Sequence, residues 1–455
     1  MELGQTLLAV GNGERAASFE VFSATLDPEW IAQALAATGT ATVRRRKLPA
    51  DYVLWIVIGM GLLRDRSIQE VVRHLALVLP APDGQHPTVS GSAIVQARDR
   101  LGPQPLAWLF RETATAWATA SADEHRWRGL AVVGVDGTTL RVPDTPENDA
   151  HFGRPGTSRG GAAAGYPQLR LVALMVLRSH LLAAVAFGPY GNSEPVLAES
   201  LWTQLSDRSL TIVDREFCTY EVFHRLADPA RDRHWLTRAK KTLSWDVVEQ
   251  LGSGDALVEL RPSRHTRAAH PALPEVWRVR AVRYQRRGFR PQTLLTSLLD
   301  PVAYPAVEIV ALYHERWELE LGFDEVKTHT LDRQEALLRS KAPTRIAQEL
   351  WGLVLGYNLV RLAMARVAGA AGVSPTRISF RHALNFIRVF WLTGWLASPG
   401  VLPRRLAALH DELKLLILPE RRPRRYPRAV KIKMSNYPRK RPRRRSRRLT
   451  DRHCS

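Results

Sequence analysis

A chain of 455 residues, 45% of them apolar, is long enough to bury a large core and to hold two or three structural units. Its formal charge of +21 is unevenly placed, because residues 421–455 hold sixteen Lys or Arg against one acid and leave the body before them only mildly basic. Two cysteines, Cys218 and Cys454, exclude a disulfide framework and zinc-ribbon spacing, which fits a reducing compartment. The longest apolar run, Tyr52 to Leu63, is closed by Arg64 and is too short to cross a bilayer. The amino terminus lacks a basic-then-apolar leader pattern, so a cytoplasmic protein with no membrane partner is expected.

Residues 1–20 carry no clear pattern. Asp27-Pro28 before an apolar-periodic segment closed by Gly39 predicts a capped helix, followed by a basic link from Arg44 to Lys47. Pro49 to Leu63 reads as a buried helix, and Ser67 with Glu70 forms a capping box for a third helix running to about Leu79. Beyond the loop APDGQHPT, Ser90 to Leu101 is a helix stopped by Gly102, and another runs from Pro105 to about Ala120. These helices, residues 1–125, form either a DNA-binding module with Arg98 and Arg100 as exposed cations or a small bundle packed on the core.

From Gly129 the pattern changes to strands. Leu130 to Val135 is an apolar, β-branched run that delivers Asp136-Gly137 at its carboxyl end. Leu169 to Leu177 and His180 to Phe187 predict two strands joined by a tight Arg178-Ser179 turn. A helix capped by Asn192 or Ser193 reaches about Leu205, and Leu210 to Val213 delivers Asp214. A helix to about Leu226 and a strand at His234 to Thr237 follow. Between about 240 and 300, three β-rich segments, Ala256 to Leu260, Val276 to Tyr284 and Thr293 to Leu299, predict a small inserted β-subdomain. Arg278, Arg280 and Arg283 alternate along its middle strand, either to grip DNA or as a charged edge that discourages aggregation.

Pro305 to Lys327, PAVEIVALYHERWELELGFDEVK, reads as one helix of about five or six turns. Tyr313, Arg316, Glu320 and Lys327 share one face of it, within roughly 60° of one another. Glu315, Glu318 and Glu325 point away, whereas Asp324 lies one turn on from Glu320. Thr344 to Val367, Thr376 to Ala397 and Arg404 to Leu418 form a largely apolar helical region, 346–420, and the Pro- and Arg-rich tail 421–455 cannot form a core.

The pattern Y-x2-R-x3-E-x6-K, filled by Tyr313, Arg316, Glu320 and Lys327, resembles the signature of the IS4 family of DDE transposases. VVGVDGTTLRVPDTPENDAHFGRPG around Asp136 and SLTIVDREF around Asp214 resemble two further motifs of that family in the same order. The resemblance implies an α/β fold: an RNase H-like mixed sheet flanked by helices in a catalytic core at 126–345, with a β-rich insertion between the second and third acids. It also implies an insertion-sequence transposase that binds terminal inverted repeats and cleaves and transfers DNA strands by a cut-and-paste route. Its partners would be double-stranded DNA, both transposon ends and target, and a second copy in a homodimer, in a bacterial cytoplasm at the nucleoid. A non-catalytic transposase-derived DNA-binding protein and a stand-alone metal-dependent nuclease are the alternatives.

Phosphodiester transfer needs an activated oxygen, a stabilised leaving oxygen and neutralised phosphate charge, which two Mg²⁺ ions supply and Mn²⁺ can supply in their place. Asp136 is expected to bridge the ions, with Asp214 and Glu320 each completing one. Asp144, Asp149, Glu216 and above all Asp324 are the rival acids. Arg316 and Lys327 would bind phosphates and Tyr313 would hydrogen-bond one near the strand end. Where relatives place a tryptophan before an LLTS-like strand, this chain reads Pro291-Gln292-Thr293, which leaves Trp277 and Phe289 as the nearby aromatics. The histidines His151, His224 and His234 have no metal-ligand spacing.

Overall fold

A computed structural model describes residues 26–41, 48–78, 89–155, 165–286, 289–331, 337–393 and 402–419. The basic link, residues 1–20, the loop 81–88 and the basic tail lie outside the described residues. Among the described residues five helices come first: α1 (Pro28–Ala37), α2 (Ala50–Leu62), α3 (Ile68–Val78), α4 (Gly91–Leu101) and α5 (Gln104–Glu124). Their ends follow the sequence signals. Asp27 accepts from the Glu29 amide at 2.9 Å, and Ser67 and Glu70 exchange capping-box bonds at 3.2 and 2.8 Å. Gly102 stops α4 at φ +66°.

The chain then enters a sheet through β1 (Ala131–Arg141), α6 (Pro146–Phe152), β2 (Gln168–Val176), β3 (Leu182–Pro189), α7 (Glu194–Ala198) and β4 (Ser209–Val213). It continues with α8 (Tyr220–Leu226), β5 (Arg233–Arg238), β6 (Asp246–Gly252), β7 (Asp255–Leu260), α9 (Arg264–Ala269), β8 (Trp277–Tyr284) and β9 (Gln292–Thr296). One mixed sheet results, in the order β3-β2-β1-β4-β5-β9-β8-β7-β6. Its first five strands, with β1, β4 and β5 parallel and β2 antiparallel to both of its neighbours β1 and β3, have the RNase H-like arrangement.

Three expectations for the strands change. β1 does not end at Asp136, because antiparallel pairing with β2 carries it to Arg141. The insertion is no separate subdomain: β9 pairs with β5, so Leu236 faces Thr296 and the inserted strands extend the central sheet. Its outer strand β6 went unread because DVVEQLG is exposed along nearly its whole length and carries no buried alternation. Arg280 is fully buried and forks onto Asp255 at 2.7 and 2.6 Å, which removes it from any DNA-facing set that Arg278 and Arg283 form.

After β9 come α10 (Ala306–Tyr313), a 3-10 turn (His314–Arg316), α11 (Trp317–Asp324) and a π turn (Glu325–Thr330), so the expected single helix is a run of four segments. The chain closes with α12 (Pro343–Ala371), α13 (Phe380–Thr393) and α14 (Leu402–Lys414). Leu130 and Val132 of the first strand region join a core that includes α2, α11 and α12, whereas Ala131, Val133 and Val135 join one with α7 and α8. Strand alternation thus assigns Asp136 to the α11 face and Gly137 to the α7 face.

Helix α12 is long and apolar enough to span a bilayer, and it is buried against α2, α5 and α13. Two buried charges fasten the first helices to it. Glu349 pairs with Arg64 and accepts from the Ser340 amide at 2.8 Å. Arg98, expected on the surface, is buried and donates to Gln348 at 2.7 Å and Ser340 at 2.9 Å. Glycines let α2 and α12 touch backbone to backbone: a Cβ on Gly352 would sit 2.5 Å from the Val57 carbonyl oxygen. Gly352→Val is therefore expected to cost about 3 kcal/mol or more. Gly369→Ala, whose Cβ meets nothing within 4 Å, is expected to be neutral or to gain up to about 1 kcal/mol, both read by urea titration.

Candidate active site

Parallel pairing of β1 with β4 aligns Val135 with Val213, so the next residues, Asp136 within β1 and Asp214 just past the end of β4, follow side by side. The Asp214 carboxylate accepts from the Glu216 amide at 2.6 Å, and Thr237 of β5 donates to the Asp214 carbonyl at 3.0 Å. Asp136 accepts from the Gly137 amide at 2.8 Å. The third acid arrives on α11. Gly134 opens β1 to that helix, since a Cβ there would stand 2.7 Å from Leu319 Cδ1. Arg316 then spans the gap, 3.6 Å from Asp136 Oδ2 and donating to Glu320 Oε1 at 3.0 Å. One guanidinium therefore links two acids 184 positions apart in the sequence.

Asp214, Tyr313, Arg316, Glu320, Asp324 and Phe289 line one cavity of about 640 Å³. Lys327 is placed differently: the π turn carries it onto β1, where Nζ donates to Thr138 Oγ1 at 2.8 Å. Tyr313 is 7% exposed, and burial pushes its phenol up. Burial also pushes the Asp136 carboxyl up to about 6; the Gly137 amide and Arg316 oppose the rise, and Asp214 and Glu194 add to it. His314 is held neutral, pushed down to about 4 by burial and by Arg286 and Arg316.

The rival acids separate. Asp144 and Asp149 both pair with Arg154, which removes them from the site. Glu315 pairs with Arg178 at 2.9 Å and Glu318 with His180 at 2.8 Å, on the far face as expected. Asp324 stays in the cavity and accepts from Thr328 at 2.5 Å. Of the two aromatics, Phe289 lines the cavity, whereas Trp277 packs edge-on against Phe223 at 6.3 Å.

Glu194 is the residue that sequence reasoning missed. Its carboxyl occupies the space that a Cβ on Gly137 would need, and Arg170 pairs with it at 3.0 Å. Burial raises its pKa, Arg170 opposes this, and Glu216 and Asp214 add to the rise. A glycine directly after an acid in a strand was the available signal, because it marks a close neighbour on the opposite face.

Residues 127–359 match the family model described as Transposase DDE domain, which sets the class of protein that this sheet and helix belong to. Residues 16–111 match Insertion element 4 transposase N-terminal. The chain is 39% identical over 414 residues to Transposase InsG for insertion sequence element IS4 of Escherichia coli (strain K12), covering 91% of this chain and 92% of that one. It is 38% identical over 232 residues to Putative transposase InsZ of the same organism, covering 51% of this chain and 75% of that one. Its overlay on the piggyBac transposase synaptic complex with hairpin DNA, at TM-score 0.42 and 11% identity over 89% of this chain and 86% of that one, is too loose to bear on the fold. The chain belongs to the IS4 family of DDE transposases.

Membership implies use of a divalent cation, and the donor set fits in kind: hard carboxylate oxygens, with Asp136 short of counter-charge. Among the described residues no three acids, histidines or cysteines are gathered tightly enough to hold an ion as they stand, and Arg316 fills the interval between Asp136 and Glu320. A carboxyl raised in the fold above its ordinary 3.8 is one whose ionisation the fold disfavours. The cost is absent below about pH 4, grows as pH rises and is complete above about 6. In chelator, Asp136→Asn is thus expected to stabilise the protein above pH 6 by on the order of 2 to 3 kcal/mol and to match the parent near pH 4. Melts across that range measure the difference; a pH-independent one would contradict the assignment.

Proposed function

We propose that the chain binds the terminal inverted repeats of an insertion sequence and catalyses Mg²⁺-dependent strand cleavage and strand transfer by a cut-and-paste route, with Mn²⁺ able to replace Mg²⁺. One observation carries this reading: Asp136 and Asp214 directly follow the paired residues Val135 and Val213 of adjacent parallel strands, and Arg316 joins Asp136 to Glu320. Asp136 would be the carboxylate common to both ions, and Asp214 and Glu320 would each help to hold one of them. Bound there, two divalent ions supply an activated water and a stabilised leaving oxygen.

The chain's own cations receive the DNA. Arg316 offers a planar fork to a phosphate, which competes with Glu320 and Asp136 for it. Lys327 offers a point charge beside β1, and Tyr313 a hydroxyl at the cavity wall. Arg215, Arg238, Arg286 and Arg290 also line the cavity, and a neighbouring one of about 810 Å³ adds Lys240 and Lys241. Such a lining suits a phosphate-rich strand.

In this reading residues 1–125 contribute to end recognition, 126–345 cut and join, and 346–420 close the core. Two copies would pair in the DNA complex, in the cytoplasm at the nucleoid, and the basic tail 421–455 would add affinity without sequence preference.

On duplexes carrying the element's ends, Asp136→Asn, Asp214→Asn and Glu320→Gln are each expected to slow Mg²⁺-dependent nicking at least about a hundredfold while end binding survives. Near-normal nicking by any one removes that residue from the set. Joining of a labelled end to a second duplex separates a transposase from a nuclease. Arg316→Ala is expected to weaken the end complex by about 1 to 3 kcal/mol, more than it weakens binding to bulk duplex in a gel-shift titration.

A further inference from the structure

The cavity-facing side of the α11 helix has a counterpart on its reverse that the chemistry does not use. Glu325, first residue of the π turn, points into the junction of three elements. Arg361 of α12 grips its carboxylate with two nitrogens, the Nε bond measuring 2.9 Å, and Tyr357 of α12 donates to it at 2.9 Å. Arg361 also donates to His180 Nδ1 at 2.5 Å, which leaves the His180 Nε2 hydrogen for Glu318 at 2.8 Å. His180 sits in the β2–β3 turn at φ +61°, and Asn358 of α12 clamps the next strand by bonding both the amide and carbonyl of Leu182, at 3.0 and 2.9 Å. Hairpin turn, catalytic helix and α12 are thus knotted at one buried group of charges. Burial works against the Glu325 carboxylate, but the Arg361 guanidinium outweighs it and holds the carboxyl well below its ordinary range.

Lys327 lies two positions further along the same turn. Side chains two positions apart project roughly 160 to 200° from one another around the axis, on an α or a wider turn. With Glu325 fixed toward α12, Lys327 has only the β1 side to occupy. It is found there, on Thr138, which shares a face with Asp136 two residues earlier in the strand. The π turn is itself secured, as the Thr330 hydroxyl donates to the Glu325 carbonyl at 3.1 Å and the Leu331 amide to that of Val326 at 2.9 Å. Lys327 is long and flexible; its own holds there are the Thr138 bond and the charge of Asp324, and the Glu325 anchor fixes the backbone from which it reaches β1.

We propose that Glu325, locked by Arg361 and Tyr357, is a positioning residue that aims Lys327 at the β1 edge of the active site. The consequence for DNA rests on the phosphate-binding role proposed for Lys327; the aiming itself does not.

Acylation of individual lysines in the full-length, DNA-free protein, followed by mass spectrometry, tests the aiming. Lys327 is expected to be labelled slowly in the parent and several-fold faster in Glu325→Gln, while Lys414, on the distant α14, keeps its rate. Should Glu325→Gln fail to fold, because it strands Arg361 as a buried charge, Glu325→Met with Arg361→Met removes both charges together and replaces it. Unchanged Lys327 labelling in a folded variant overturns the proposal. The salt dependence of end binding then tests the consequence: Lys327→Ala is expected to lower the log–log slope by about one, Glu325→Gln to do the same, and the pair together to lower it no further. A changed slope in Lys327→Ala alone, with Glu325→Gln at the parent value, also overturns the proposal. An unchanged slope in Lys327→Ala, with faster labelling in Glu325→Gln, upholds the aiming and overturns only the phosphate role.

Discussion

How near a helix can come to a strand decides whether its carboxylate joins those on the sheet, and here two glycines let α11 come close. Gly134 on β1 admits Leu319, and Gly322 on α11 admits the Met175 side chain of β2. Each is a point where any Cβ would overlap a neighbour, so the helix lies directly on the sheet. Glu320 follows Leu319 and Asp136 lies two residues beyond Gly134, which turns a packing contact into a chemical one. Gly137 does the same on the other face, where it admits the carboxyl of Glu194.

Charge is sorted by face around this contact. Glu315, Glu318 and Glu325 on the reverse of the helical run pair with Arg178, His180 and Arg361. On the site face Asp136 and Glu320 share Arg316. Buried acids that are individually paired are structural ties whose removal leaves a stranded charge. A largely buried acid that must share its one cation with a more exposed neighbour, as Asp136 does with Glu320, keeps capacity for another, and its raised pKa is the thermodynamic form of that deficit. The same sorting appears at Arg64, Arg98 and Glu349, where charges serve only to fasten the amino-terminal helices to α12.

Much of the fold was legible because its signals are local. The capping box at Ser67 and Glu70, the stop at Gly102 and the apolar run into Asp136 each depend on a few neighbouring residues, and each appears where it was read, though β1 continues past its aspartate. The helical face of Tyr313, Arg316 and Glu320 was legible by the same logic, since 3.6-residue periodicity survives a single 3-10 turn. What escaped was long-range. The antiparallel seam of β5 with β9 joins residues about sixty apart and carries no local mark. Arg98 and Arg280 look like surface cations until Gln348 and Asp255 arrive from remote sequence to bury them. The π turn at Glu325 is invisible for the same reason, as Arg361 and Tyr357 belong to another helix.

The central claim is that Asp136, Asp214 and Glu320, remote along the chain, surround one ion-binding locus. Ferrous ion in place of Mg²⁺, with ascorbate and peroxide, generates radicals that cut the polypeptide beside the bound metal. In the complex with end DNA the account predicts backbone cuts clustered near residues 136, 214 and 320 and nowhere else, all suppressed by excess Mg²⁺. Cuts confined to one of these segments, or placed elsewhere in the chain, would contradict it.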